Sequence, residues 1–250
     1  MSFTKVKKGV CAAKGFVANG LNCGLNSDKN KNDLALVYSE TQCQAAAVYT
    51  TNKVKGAPIQ VTKAHLEASG HTAKAVIANS KNANTCNADG VEKAQRMCEL
   101  AAAELSIDPN EVIVASTGVI GQVLPIEPIE SHIKELAKGL SADGNDKAVN
   151  AIMTTDTVPK QYAVKFMLGD CECTVGGMAK GSGMIHPNMA TTLNFITSDV
   201  AISSELIQKA LSEIVKVTYN CLSIDGDTST NDMVVEINKW LMKFDNDMID

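Results

Sequence analysis

The order of strand-like and helix-like segments along the chain constrains its fold more than any other feature of the sequence. Short apolar or alternating runs typical of strands include "AKAVIANS", "EVIVASTGVIG" and "TTLNFITSD". Between such runs lie segments whose apolar residues repeat at helical spacing, and "NADGVEKAQRMCELAAAELSI" is the clearest of them. Strands alternate with helices in some places and follow one another in others. This mixture predicts an α/β protein with a mixed sheet and helices packed on it.

Three segments carry more specific predictions. "DLALVYSE" and "AAAVYTTN" are predicted as two separate strands that pair or lie side by side, because Gln42 to Gln44 separate them. "KQYAVKFML" and "CECTVGGMAKG" are predicted as a hairpin that turns at Gly169 and Asp170. For "MVVEINKWLMKFDNDMID", composition alone favours an ordinary helix, because the segment contains neither glycine nor proline.

Charge and cysteine content disfavour several classes of protein. The 250 residues include 23 basic and 28 acidic side chains, for a net charge of -5, and no basic stripe that would indicate a nucleic-acid partner. No segment predicts a membrane span, and Lys14 interrupts the early apolar run, so we expect a cytoplasmic protein without a signal peptide. Eight cysteines without a Cys-x-x-Cys pair indicate reduced thiols, and neither they nor the four histidines have metal-site spacing.

Thr191 is the first candidate for catalysis, in the stretch "KGSGMIHPNMATTLNFITSD". A threonine hydroxyl is a poor nucleophile, but an N-terminal threonine has a built-in general base in its α-amine. Cleavage between Ala190 and Thr191 would create such a residue, and the preceding glycines and Pro187 permit the turn that cleavage requires. The alternative is a glycine-rich turn that leads into a strand, and on spacing alone this alternative is favoured.

Three other segments place small polar residues where strands or helices end. In "ASTGVIGQVLP", a strand that ends in Ser-Thr-Gly can point a hydroxyl and a backbone N–H the same way, as an oxyanion hole requires. The alternative is a strand-to-loop turn of small residues, and without further context this alternative is favoured. In "IMTTDTVPK", Asp156 is flanked by threonines and fits either a polar substrate pocket or a helix-ending turn. "SIDGDTSTND" has three aspartates without the spacing of a calcium loop, so a polar loop is favoured.

Taken together, these four segments resemble the ornithine acetyltransferases, the bifunctional glutamate N-acetyltransferases of arginine biosynthesis. The motifs that carry the resemblance are "STGVIGQVLP", "IMTTDTVPK", "KGSGMIHPNMAT" and "DGDTSTND", and as a set they are highly specific. The resemblance begins at "TKVKKGVCAAKGFVANG" and covers almost all of the first 232 residues. It implies an α/β fold of two chains, produced by self-cleavage of one precursor and associated as a heterotetramer.

The resemblance also implies a role for each matching residue. These residues are Ala190 and Thr191 at the cleavage site, Thr117 and Gly118 in the oxyanion hole, and Thr154, Lys180 and Thr191 in contact with the substrate. N-acetylornithine would acetylate the nucleophile, Thr191, and leave as ornithine, and glutamate would then accept the acetyl group. Some members also use acetyl-CoA as the donor. Neither a metal nor a bound organic cofactor is implied.

The sequence departs from the family pattern in two respects. Thr192 stands where members commonly have methionine. Only 60 residues, 191–250, follow the expected cut, whereas the family's second chain is several times longer and contributes a glutamate and C-terminal polar contacts to the pocket. We therefore expect residues 1–190 to correspond to the first chain and 191–250 to a truncated second chain with an atypical tail, 233–250. A frameshift, a premature stop or a gene fragment would explain this length.

Two other functions stay open beside a threonine-dependent acetyltransferase. An inactive fragment that serves at most as a binding module would fit the short second chain. A related N-terminal-nucleophile hydrolase, such as a self-cleaving aminopeptidase, would transfer the acyl group to water instead of glutamate. The arginine-pathway motifs disfavour this hydrolase.

Overall fold

The computed structural model describes residues 2–185 and 192–239, in which strands and helices alternate irregularly along the chain. The strands are β1 (Thr4–Val6), β2 (Phe16–Leu21), β3 (Leu34–Tyr49), β4 (Thr72–Asn79), β5 (Val112–Ser116), β6 (Lys160–Leu168), β7 (Cys171–Lys180), β8 (Leu193–Ser198) and β9 (Met233–Lys239). The α-helices are α1 (Ala57–Ala68), α2 (Gly90–Leu105), α3 (Glu127–Lys138), α4 (Asn145–Ile152) and α5 (Ser204–Val217). Short 3-10 helices occupy Gly9–Cys11, Pro109–Glu111 and Tyr219–Cys221.

All of these strands belong to one mixed sheet. Its order is β1-β6-β7-β8-β9-β3-β4-β5, and β2 pairs with β3 beside this path. Antiparallel pairs predominate, while β4 with β5 and β8 with β9 are parallel. The α/β class with a mixed sheet, predicted from the order of segments, is therefore confirmed.

The hydrophobic core has three parts that follow from the helix positions. The largest lies between the sheet and α4 and includes Phe195 and Val149. A second packs α2 and α3 against the β4 and β5 side of the sheet. A third, smaller part lies under α5, whose buried residues Ile207, Leu211 and Val215 repeat at helical spacing. None of the described helices is long and apolar enough to cross a bilayer.

Strand β3 shows that the prediction of two separate strands around Gln42 to Gln44 was wrong. Leu34–Tyr49 is one strand, and its pairing with β4 shifts register between Tyr38 and Cys43. The first part pairs with β2 and the last part with β9. Because exposed residues interrupt the apolar pattern at this shift, the sequence looks the same there as at a turn.

Strand β9 corrects the helix that composition favoured for the last segment. Met233–Lys239 pairs in parallel with β8 and antiparallel with β3, near the middle of the sheet. Val235 faces the largest part of the core, and the neighbouring Val234 packs under α5. A strand buried on both faces lacks alternation, so its pattern resembles that of a buried helix. Residues 240–250 lie outside the described part of the chain.

The predicted hairpin and the reduced state of the cysteines both agree with the structure. β6 and β7 pair along their whole length, and Gly169 takes φ +59° in the turn between them. None of the eight cysteines, all of which are among the described residues, forms a disulfide. Cys86 and Cys221 are exposed, and burial raises the pKa of Cys11 to about 11 and that of Cys23 to about 12.

Candidate active site

One cavity of about 390 Å3 brings together the four segments that the sequence analysis singled out. Its walls include residues 117–120, Thr154 and Thr155, Lys180 and residues 229–231. Four of the predicted site residues, Thr117, Gly118, Thr154 and Lys180, therefore line the same cavity. The other two, Ala190 and Thr191, lie outside the described residues.

The turn that contains Thr117 and Gly118 follows β5 and packs on the residues that follow β4. Because β4 and β5 are parallel, their carboxyl ends meet at one edge of the sheet. The Thr117 N–H donates to the Asn79 carbonyl at 3.0 Å, and the Val119 N–H donates to the Lys81 carbonyl at 3.0 Å. Gly118, between them, has φ +136°, and a Cβ there would lie 2.5 Å from the backbone nitrogen of Asn82. Only glycine fits this position without displacing the neighbouring backbone.

Lys180 reaches this turn from the end of β7. Its ammonium donates to the Thr117 hydroxyl at 2.9 Å, and only 8% of the residue is exposed. Burial lowers the pKa of Lys180, although the negative charges of Asp156 and Asp232 partly oppose the change. Leu193, which follows Thr191 by two positions, pairs with Lys180 at the start of β8. The cavity therefore contains a desolvated cation that is hydrogen-bonded to a hydroxyl.

Asp156 fixes two walls of the cavity but does not line it. Its carboxylate accepts hydrogen bonds from the Thr154 N–H at 3.2 Å, the Gly181 N–H at 2.9 Å and the Lys160 ammonium at 2.5 Å. Burial alone would raise the pKa of Asp156, but these donors outweigh it and hold the pKa below its usual value. The segment is therefore a turn that follows α4 and lies beside the cavity, and its role in binding a substrate stays a prediction.

Asn231 connects the last of the four segments to the end of β5, and the sequence analysis missed it. Its side-chain amide donates to the Ala83 carbonyl at 2.6 Å and to the Ser116 carbonyl at 2.9 Å. Its carbonyl accepts from the Thr85 hydroxyl at 2.7 Å and the Thr230 hydroxyl at 2.6 Å. In the sequence, the signal for such a role is the uninterrupted polar run directly before the apolar strand β9. This run does not identify the hydrogen-bond partners of Asn231.

Asp225 anchors the backbone that leads toward the expected cleavage site. Its carboxylate accepts from the Met184 N–H at 2.5 Å and from the Ile185 N–H at 2.8 Å. The Ile224 N–H also donates to the Ile185 carbonyl at 2.8 Å. The polar loop favoured for "SIDGDTSTND" is therefore a loop that binds two parts of the site. Among the described residues, no group of three or more His, Cys, Asp or Glu side chains is arranged to hold a metal ion.

Comparison with known protein families identifies the family in which these segments occur together. The model of the ArgJ family matches residues 17–246. The chain belongs to the ArgJ family. This match confirms the resemblance to the ornithine acetyltransferases that the four motifs indicated.

Curated ArgJ relatives agree with this assignment. The arginine biosynthesis bifunctional protein ArgJ 1 of Clostridium acetobutylicum is 50% identical over 221 residues, which are 88% of this chain and 53% of that protein. ArgJ of Bacillus subtilis is 49% identical over 232 residues, 92% of this chain and 56% of that protein. The chain therefore spans about half the length of the curated relatives it matches.

Solved ArgJ structures share the fold. ArgJ from Bacillus halodurans superposes with a TM-score of 0.69 at 38% identity, over 75% of this chain and 97% of that one. The ornithine acetyltransferase of Mycobacterium tuberculosis, solved with ornithine, gives a TM-score of 0.68 at 35% identity, over 77% of this chain and 100% of that one. The L-aminopeptidase D-Ala-esterase/amidase of Ochrobactrum anthropi, a variant of the Ntn hydrolase fold, has a TM-score of 0.56 at 11% identity, which shows a shared fold alone.

Proposed function

We propose that this chain carries the nucleophile and oxyanion part of an acetyltransferase that moves acetyl from N-acetylornithine to glutamate. The observation that carries the proposal is that Thr117, Gly118, Thr154 and Lys180, from three distant segments, line one cavity. The names of the bifunctional relatives and the ornithine-bound relative support this choice of substrates. Acetyl-CoA as a second donor and a cytoplasmic location belong to the same proposal.

The proposed chemistry begins with cleavage between Ala190 and Thr191, which both lie outside the described residues. The Thr191 hydroxyl attacks the Ala190 carbonyl, and water hydrolyses the resulting ester, so that Thr191 becomes N-terminal. Its α-amine then removes the hydroxyl proton while the oxygen attacks the acetyl group of N-acetylornithine. Ornithine leaves, and the α-amine of glutamate takes the acetyl group from Thr191. Transfer between two amines is nearly balanced in free energy, so a covalent carrier is sufficient.

The electrostatic properties of the cavity suit this reaction. Hydrogen-bond donors at Thr117 and Gly118 would stabilise the negative oxygen of each tetrahedral intermediate, and one such donor typically contributes about 100–1000-fold to the rate. The buried ammonium of Lys180 orients the Thr117 hydroxyl and would attract a substrate carboxylate. Burial strengthens both interactions because little water screens them. Thr154, held through its N–H by Asp156, would complete the substrate contacts.

Residues 1–190 and 191–250 would become separate chains, within a heterotetramer. β8 and β9 follow the proposed cut, yet they lie between β7 and β3 in the sheet. Each is hydrogen-bonded to a strand of the first chain, β8 to β7 and β9 to β3. The two pieces would therefore stay associated after cleavage.

The test is to incubate the purified protein with N-acetylornithine, first alone and then with glutamate. We expect an acetyl group on the Thr191 peptide in the first case, and N-acetylglutamate with ornithine in the second. Thr191→Ala should abolish both, and Thr191→Ser should keep both at a lower rate because it keeps a hydroxyl. Release of acetate without transfer to glutamate would support the hydrolase. Absence of acetyl on Thr191 and of any product would leave the inactive binding module as the better account.

A further inference from the structure

The side-chain amide of Asn231 joins the two ends of the proposed oxyanion turn (residues 117–118). Its Nδ2 donates to the Ser116 carbonyl at 2.9 Å, directly before the turn. It also donates to the Ala83 carbonyl at 2.6 Å. The Ala83 N–H in turn donates to the Val119 carbonyl at 2.9 Å, directly after the turn. One amide group therefore holds the backbone on both sides of the proposed oxyanion donors.

The contact with Ser116 fixes the position from which the turn begins. A peptide group is planar, so the Ser116 carbonyl and the Thr117 N–H lie in one plane and point in opposite directions. Asn231 binds the carbonyl, and the Asn79 carbonyl accepts from the N–H at 3.0 Å. Because both sides of this peptide group are held, Thr117 keeps the backbone position from which its hydroxyl accepts from the Lys180 ammonium at 2.9 Å. Loss of the Asn231 amide would free one of the two sides.

The amide of Asn231 is itself held in one orientation. Its Oδ1 accepts from the Thr85 hydroxyl at 2.7 Å and from the Thr230 hydroxyl at 2.6 Å. Both hydroxyl residues are buried, and Asn231 is 6% exposed. Rotation of the amide by 180° would turn its oxygen toward the two backbone carbonyl oxygens that its nitrogen now binds, where no hydrogen is available between them. The surroundings therefore select the orientation that holds the turn.

The backbone around Asn231 is fixed as well. The Gly56 N–H donates to the Thr230 carbonyl at 3.0 Å, and the Thr50 N–H donates to the Asp232 carbonyl at 2.9 Å. A Cβ on Gly56 would overlap the Asn231 side chain, so glycine at this position leaves space for the amide. Segments that precede α1, follow β4 and precede β9 thus all contribute to the placement of this one side chain.

From this geometry we infer that Asn231 is a positioning residue for acetyl transfer, which acts by holding the oxyanion turn. This inference rests on the proposed function. Asn231 lines the cavity, but both sides of its amide bind groups of the protein. It therefore acts on the reaction through Thr117 and Gly118 and not through contact with the substrate. A displacement of catalytic groups by about 1 Å can slow a reaction about 100-fold, so loss of this amide should have a large effect.

The effect should fall on kcat and not on KM. The negative oxygen that the turn would stabilise exists in the tetrahedral intermediates and their transition states, and not in the bound substrates. The proposed substrate contacts, Thr154 and Lys180, are placed by the turn after α4 and by β7. We expect Asn231→Ala to lower kcat for transfer from N-acetylornithine to glutamate about 100-fold, with KM for each substrate within about 3-fold of the wild type.

The experiment compares Asn231→Ala with Leu211→Ala in the full chain. Leu211 is 4% exposed and packs under α5, so its truncation should lower stability and leave kcat within about 2-fold of the wild type. Circular dichroism identifies a temperature at which both variants are folded. kcat and KM are then measured per cleaved chain, with the cleaved fraction taken from the intact mass. Hydrogen exchange in the peptide 112–121 is measured on the same samples, and only Asn231→Ala should exchange there about 10-fold faster.

Each outcome decides the inference. A kcat of Asn231→Ala about 100-fold below that of Leu211→Ala, with similar KM and faster exchange in this peptide, supports it. Equal kcat values, or a change in KM alone, overturn it and leave the proposed function standing. A wild-type protein that transfers no acetyl group overturns the proposed function and this inference together.

Thr85→Val decides if Asn231→Ala is unfolded or stays uncut. This variant keeps Asn231 and removes one of the two hydroxyls that orient its amide. Because one hydrogen bond is lost, kcat should fall about 3–10-fold while KM stays the same. An unchanged kcat for Thr85→Val would contradict the inference.

Discussion

Replacement of Gly118 by alanine tests whether the oxyanion turn is as tightly packed as the structure indicates. Gly118 has φ +136°, a region that side chains rarely occupy. Its missing Cβ would also overlap the backbone of Lys81 and Asn82, which cannot rotate away as a side chain can. Those residues are held in turn by the hydrogen bond from Val119 to the Lys81 carbonyl.

Two terms contribute to the expected loss of stability. A non-glycine residue in this backbone region costs about 1–3 kcal/mol. Forcing an extra methyl group into a packed site costs about 1–3 kcal/mol more. Gly118→Ala should therefore lower the free energy of unfolding by about 2–6 kcal/mol, a large part of the 5–15 kcal/mol typical of a domain.

Gly121, in the same turn, provides the matched control. It also has positive φ, +79°, but a Cβ there would have no atom within 4 Å. Gly121→Ala should cost only the backbone term, about 1–2 kcal/mol. Urea unfolding of the two variants and the wild type measures both losses. Equal losses for Gly118→Ala and Gly121→Ala would refute the close approach of the turn to Lys81 and Asn82.

Three further predictions concern other parts of the site and the thiols. Asn231→Ala should lower the free energy of unfolding by about 2–4 kcal/mol, because it leaves buried hydrogen-bonding groups without partners. The pKa of Asp156 is lowered in the folded state, so its contribution to stability is present above about pH 4 and is lost on further acidification. Thermal unfolding of Asp156→Asn should thus depend less on pH below about pH 4 than that of the wild type. Iodoacetamide should label the exposed thiols Cys86 and Cys221 long before the buried Cys98, as read by peptide mass mapping.

Each of these predictions has an outcome that contradicts it. Asn30 is exposed, so Asn30→Ala should change stability by less than about 0.5 kcal/mol, and an equally small effect of Asn231→Ala would contradict the network. Identical acid profiles of Asp156→Asn and the wild type would show that the Asp156 hydrogen bonds add no stability. Labelling of Cys98 at the rate of Cys86 would contradict its burial.

Local patterns were enough to predict the elements whose partners are adjacent in the sequence. The β6–β7 hairpin follows from two alternating runs joined by Gly169 and Asp170, and the helices follow from their apolar spacing. The errors fall where distant residues decide the structure. β3 is continuous because three other strands pair along it, and β9 is a strand because β8 and β3 hold it on both sides.

The candidate site, like the fold, could be predicted from the sequence only in part. Spacing alone favoured ordinary turns or loops for three of the four segments and left two interpretations open for "IMTTDTVPK". Only the motifs taken together indicated Thr117, Gly118, Thr154 and Lys180. Their common cavity could not be predicted from spacing, because it depends on which strand ends meet. The roles of Ala190 and Thr191 stay predictions.

The mass of the purified protein under denaturing conditions, beside that of Thr191→Ala, tests the central claim most directly. We predict two fragments that divide between Ala190 and Thr191, and a single uncut chain for Thr191→Ala. Under native conditions the two fragments should elute together, because β8 and β9 lie between strands of the first fragment. A single wild-type species of about 26.5 kDa would contradict the account, since the site would then fail to make its own nucleophile.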